Sequence, residues 1–130
     1  RQQGVDRLAD GVEAAARRLG CDYGVCSKQR TGDRQVSVTL PAMDFSARQV
    51  VLIDDVASSG HTLARAAEAL LAAGAGSVDV AVTHALFAGD ALEVLSAAGV
   101  GEVWSSDCIA HPSNVISMAP VLATALTPLL

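Results

Sequence analysis

Val50-Val51-Leu52-Ile53 is an unbroken apolar run, with Gln49 ahead of it and two aspartates directly behind. A strand that is wet on one face alternates apolar and polar residues, so a strand without alternation calls for cover on both faces. Val78 to Thr83 reads as a second buried strand. Between the two, Leu63, Ala66, Ala67, Leu70 and Leu71 fall on one helical face, and Gly74 and Gly76 stop the helix. Strand, helix and strand at this spacing give a parallel crossover, which packs helices onto the sheet.

The remaining pattern extends the same theme. Val5, Leu8, Val12, Ala15, Ala16 and Leu19 predict a first helix that stops at Gly20, and Tyr23 to Cys26 a short strand. Ser27 to Gln35 is polar and reads as a loop, Val36 to Leu40 alternates as a half-exposed strand, and Pro41 to Arg48 connects onward. Further on come a helix over Ala91 to Ala98, short strands at Gly101 to Trp104 and Val115 to Met118, and a closing helix from Ala119 to Leu126. The expected fold is one α/β domain over residues 1–130, a three-layer α/β/α arrangement with a mainly parallel sheet. With 51% hydrophobic and 18% charged residues a packed core is expected, and 3% aromatic content leaves Ala, Val and Leu to build it.

Charge and composition exclude several classes of function. The formal charge is −5 and no basic cluster exceeds Arg17-Arg18, so neither nucleic acid nor a membrane surface is an expected partner. The longest apolar stretches, such as Met118 to Leu126, fall short of the roughly 20 residues of a membrane span. The chain opens Arg1-Gln2-Gln3 and turns amphipathic at once, without a signal peptide, so a cytoplasmic location is expected. The chain opens without an initiator methionine, and a processed product or a longer chain shown in part is expected. Cys21, Cys26 and Cys108 match no zinc spacing, and Cys108 with His111 is a bare C-x-x-H, so no metal site is expected.

The chemistry is expected where the first buried strand ends. In open parallel sheets, ligands sit beyond the carboxyl ends of the strands. There Asp54-Asp55 is followed by Ser58-Ser59-Gly60-His61-Thr62, which opens the next helix. Adjacent carboxylates at the end of a buried strand need partners, and the vicinal hydroxyls of a sugar supply them. Three hydroxyls, a glycine and the free N–H groups of a helix start suit a phosphate monoester. Read singly, the same residues serve as turn and capping residues.

The thirteen residues VVLIDDVASSGHT, Val50 to Thr62, resemble the phosphoribosyl diphosphate signature shared by type I phosphoribosyltransferases and ribose-phosphate pyrophosphokinases. Further stretches are similar to the pyrophosphokinases in particular. These are Lys28-Gln29-Arg30 after a strand, Thr83-His84-Ala85-Leu86-Phe87-Ala88-Gly89-Asp90-Ala91 after the next, Arg1-Gln2 at the opening helix, and His111-Pro112-Ser113-Asn114 near the end. The resemblance implies a phosphoribosyltransferase-like fold and the C-terminal half of a two-domain enzyme of nucleotide biosynthesis. That family moves the diphosphoryl group of ATP, with Mg²⁺, onto the 1-hydroxyl of ribose 5-phosphate and releases AMP.

Carried over by position, Asp54 and Asp55 hold the ribose hydroxyls, and Ser58, Ser59, Gly60, His61 and Thr62 cradle the 5-phosphate. Lys28 is the expected catalytic lysine, with Arg30 on the ribose phosphate or the transferring group; His84, Arg1 and Gln2 are candidate pocket residues. A homo-oligomer is expected. Ser58 stands where many members have an acid, and His61 replaces a common glycine, where crowding that the loop tolerates is the expected effect. His111 is expected at the surface. Two alternatives stay open: a phosphoribosyltransferase that consumes the diphosphate, and a non-catalytic ribose-phosphate-binding subunit. The first lacks residues for a hood over a base; Lys28, Arg30 and Asp54 count against the second, and the missing N-terminal half counts for it.

Overall fold

The computed structural model describes residues 3–30 and 36–129. It opens with helix α1, Gln3–Leu19, and a hairpin of β1, Ser27–Arg30, and β2, Val36–Thr39. Then follow β3, Gln49–Ala57, α2, His61–Ala72, β4, Ser77–Ala85, α3, Ala91–Ala97, β5, Val103–Ser106, and β6, Asn114–Ile116. Helix α4, Ala119–Leu126, runs into a 3-10 turn at Thr127–Leu129. β3 to β6 form a parallel four-stranded sheet in chain order, flanked by helices, as an α/β fold requires.

The core forms between the sheet and α2 and α3. Val50 pairs with Val78 and Leu52 with Val80, so these residues share a face. Leu63, Ala67 and Leu70 of α2, spaced at one helical stripe, and Leu95 of α3 pack onto that face. Ala67 and Ala91 are fully buried, and such small side chains allow α2 and α3 to approach closely.

The opposite face is different from expectation. Val51 and Ile53 are 47% and 43% exposed, so β3 is covered on one face only among the described residues. The reason is that this face lines an open cleft, with α1 on the far wall rather than packed down onto β3.

Strand boundaries also move: β5 and β6 shift by up to two residues, and β1 and the end of β3 change most. Tyr23 to Cys26 is not a strand; Tyr23 and Val25 are both exposed, which leaves the segment without a buried face to fix it. The polar residues Ser27–Arg30 form one instead, because the alternating Val36–Thr39 offers them an antiparallel ladder. At its far end β3 continues through Asp54 and Asp55 to Ala57, where Asp54 pairs with Val82, Val56 with His84 and Ala57 with Ala85. Ladder bonds to an equally long β4 outweigh the turn preference of the two aspartates.

Candidate functional site

A cleft of about 780 Å³ opens beside the edge of β3. Its walls come from Val12, Ala16 and Leu19 of α1, the segment from Cys21 to Ser27, β3 from Gln49 to Asp55, and the first turns of α2. Most of that lining is apolar; Asp54, Asp55 and Thr62 bring polar groups to one end. Asp54 is partly buried and Asp55 exposed. Successive strand residues point to opposite faces, so Asp54 shares a face with Leu52 and Asp55 with Ile53. The Asp55 N–H donates to Asp54 Oδ1 at 2.8 Å, which orients that carboxylate and leaves its other oxygen without a partner among the described residues.

Ser58, Ser59 and Gly60 lead from β3 into α2. Gly60 is the cap, in the left-handed region at φ 80°, and its carbonyl accepts the first helical bond, from Ala64 N–H at 2.8 Å. The amides of His61, Thr62 and Leu63 therefore lie ahead of the helical ladder, and no side chain caps them. Among the described residues only a long contact, His61 N–H to Ser59 Oγ at 3.5 Å, touches this set. Unpartnered donors at the positive end of a helix favour an anion. Ser58, Ser59 and His61 are exposed beside the cleft, and Thr62 forms part of its wall.

Gly60 is buried, and a Cβ there would stand 3.1 Å from the Ala91 carbonyl oxygen. Gly60→Ala should cost about 1–2 kcal/mol from the left-handed backbone alone, with further loss from the crowded carbonyl. Urea unfolding measures it, and an unchanged midpoint would mean that the loop does not need this conformation. His61 meets no such demand, because the positive φ falls on Gly60 and His61 is already the first residue of α2. The extra Cβ of His61 is accommodated.

The remaining site residues are spread more widely. Lys28 and Arg30 lie on β1, opposite Val38 and Val36 of β2, rather than in an irregular loop. Their side chains, and Arg1 and Gln2 altogether, lie outside the described residues. His84 is partly buried near the end of β4, opposite Val56. Cys26 is also on the cleft wall, and burial pushes its thiol pKa up, which keeps it protonated and a poor nucleophile at neutral pH. Among the described residues no three His, Cys, Asp or Glu side chains group as a metal site.

His111, expected at the surface, is partly buried with its ring against Phe87. Sequence reasoning missed the polar cluster around it, formed by Ser105, Ser113 and Asn114. The signal available was weak: two serines ending one short strand and His-Pro-Ser-Asn opening the next.

The chain matches the phosphoribosyl transferase domain family over residues 12–100. It is 35% identical to ribose-phosphate pyrophosphokinase 2 of Archaeoglobus fulgidus over 86% of this chain and 41% of the relative. The ribose-phosphate pyrophosphokinase of Methanopyrus kandleri is 33% identical over 97% of this chain and 46% of its own length. That of Pyrococcus furiosus is 36% identical over 93% and 47%. The crystal structure of phosphoribosylpyrophosphate synthetase from Mycobacterium smegmatis superposes with a TM-score of 0.66 at 25% identity, over 95% of this chain and 41% of that one. The chain thus spans less than half the length of these relatives. A family match over residues 12–100, a parallel sheet, and carboxylates set just ahead of a glycine-capped helix all agree: this chain belongs to the phosphoribosyl transferase domain family.

Proposed function

We propose that this chain is the ribose-5-phosphate-binding part of a ribose-phosphate pyrophosphokinase. The observation that carries the reading is that β3 delivers Asp54 and Asp55 to the end of a cleft directly ahead of the Gly60 turn. Carboxylate acceptors for vicinal hydroxyls and free amides for a phosphate are thereby separated by a few residues of one loop. The pyrophosphokinases among its relatives favour this chemistry over base transfer.

In the proposed reaction the 1-hydroxyl of ribose 5-phosphate attacks the β-phosphorus of ATP, the bond to the α-phosphate oxygen breaks, and AMP leaves. Negative charge accumulates on phosphoryl oxygens, so the protein's task is to place fixed cations and to hold the acceptor in line. Asp54 and Asp55 orient the sugar, residues 58–62 hold its phosphate, and Lys28 and Arg30 meet the transferring group. Mg²⁺ would be held by the substrate phosphates together with a carboxylate such as the exposed Asp55, keeping several of its waters. When bound, it neutralises phosphate charge.

No helix of the described residues is long and apolar enough to cross a membrane. A cytoplasmic, self-associating enzyme is part of the same proposal. Half-exposed Val121, Leu122 and Leu126 of α4 provide apolar surface that a subunit contact would cover.

The full-length protein, given ATP and ribose 5-phosphate, should release AMP; chromatography of the nucleotides measures it. Consumption of phosphoribosyl diphosphate with a nucleobase instead would make it a transferase. Ribose 5-phosphate binding with neither reaction would leave a non-catalytic subunit.

A further inference from the structure

The loop after β4 holds a residue in a conformation that nothing in the site above requires. Phe87 has φ +29°, where a bulky L-residue sits only when its surroundings impose it. Its N–H donates to the Ala57 carbonyl at 2.9 Å, and the next N–H, of Ala88, donates to the Ser58 carbonyl at 2.8 Å. The loop is therefore stitched to the two residues that lead into the candidate phosphate loop. On its other side the Phe87 ring meets the His111 ring, with centroids 4.9 Å apart and planes tilted by 49°. That separation is within the favourable range for aromatic pairs.

His111 is itself held from behind. Its backbone N–H donates to Asn114 Oδ1 at 2.9 Å, and its Nδ1 accepts from the Ser113 N–H at 3.1 Å. An accepting Nδ1 puts the ring hydrogen on Nε2. The Ser113 hydroxyl stands 2.7 Å from Nδ1 and 2.7 Å from Ser105 Oγ. Asn114 Nδ2 in turn donates to Ser105 Oγ at 2.9 Å. These contacts link Asn114 to the His111 ring through Ser105 and Ser113. Ser105 is fully buried, and the adjacent Ser106 hydroxyl donates to the Thr83 carbonyl at 2.6 Å, which ties the cluster to the end of β4.

We infer that His111 and Phe87 form a positioning pair for the phosphate loop. The buried hydrogen-bond chain fixes the imidazole, the imidazole pins the Phe87 ring, and the Phe87–Ala88 backbone sets where Ala57 and Ser58 stand. In this role both side chains act through the backbone of the loop. The role rests on the assignment of residues 58–62 to the sugar phosphate, but the pinning of Phe87 by His111 does not.

His111→Ala and His111→Phe in the full-length protein separate these points. In His111→Ala the Phe87 and Ala88 amides should exchange with solvent at least about tenfold faster, while Val80 and Val82 in β4 keep their protection. Ribose 5-phosphate should bind roughly tenfold more weakly by calorimetry, the worth of one loosened hydrogen bond. His111→Phe, which keeps a ring against Phe87, should recover most of both losses. Wild-type exchange at Phe87 and Ala88 in His111→Ala would overturn the pairing, as would loss of protection that spreads to Val80 and Val82. Faster exchange with unchanged ribose 5-phosphate affinity would overturn the positioning role. If the wild type binds no ribose 5-phosphate, the phosphate-loop reading fails, and the exchange data still decide whether His111 pins Phe87.

Discussion

Lys28→Ala in the full-length protein should lower kcat while the KM for ribose 5-phosphate changes little. A cation aimed at the transferring phosphoryl group gains most of its interaction only as charge builds in the transition state. Losing one such charge-assisted contact in a water-excluded site costs about 3–4 kcal/mol, a hundred- to thousand-fold in rate. Lys28 lies on a two-stranded hairpin that is separate from the main sheet. Its β2 strand packs against α2, the helix that the residues 58–62 loop opens. A lysine that stays in solvent would give a different result, with kcat held within about twofold because exposed charges contribute little. Steady-state kinetics at saturating Mg-ATP distinguishes the two. An unchanged kcat would remove Lys28 from the catalytic set.

The parts of the fold that sequence revealed are those set by local pattern. The stripe of Leu63, Ala67 and Leu70 predicts α2 because helical spacing is fixed by the backbone, and α4 falls on Ala119–Leu126 as expected. The run Val50 to Ile53 announces a strand. What it does not announce is the extension to Ala57, which depends on how far β4, some thirty residues away in sequence, supplies a ladder. The same non-local term moves the first strand from Tyr23–Cys26 to Ser27–Arg30, whose polar composition gives no hint of pairing until β2 is placed opposite. Asp54, Asp55 and residues 58–62 stand out as candidates in the sequence because carboxylates, hydroxyls and the chain turn occupy one short stretch. The contact between Phe87 and His111 was not, since it joins two loops that only the packed sheet brings together.

Asp54→Ala should weaken ribose 5-phosphate binding more than any other single change in the loop. In the proposed complex this carboxylate accepts two hydrogen bonds from vicinal hydroxyls, and bonds to a charged group are worth about 1.5–3 kcal/mol each. Losing both amounts to roughly 3 kcal/mol or more, which is about a hundredfold or greater in Kd. Little of this should appear as instability. Asp54 is only partly buried, and its one described protein partner is the Asp55 N–H, which water can satisfy once the carboxylate is gone. The affinity loss should therefore come without a matching fall in the unfolding midpoint, and Asp54→Asn, which keeps an oxygen acceptor but no charge, should fall between. Titration calorimetry beside urea unfolding for the three proteins tests the argument. Wild-type affinity in Asp54→Ala would show that the sugar lies elsewhere, and a lost midpoint equal to the lost affinity would make Asp54 a structural residue of β3.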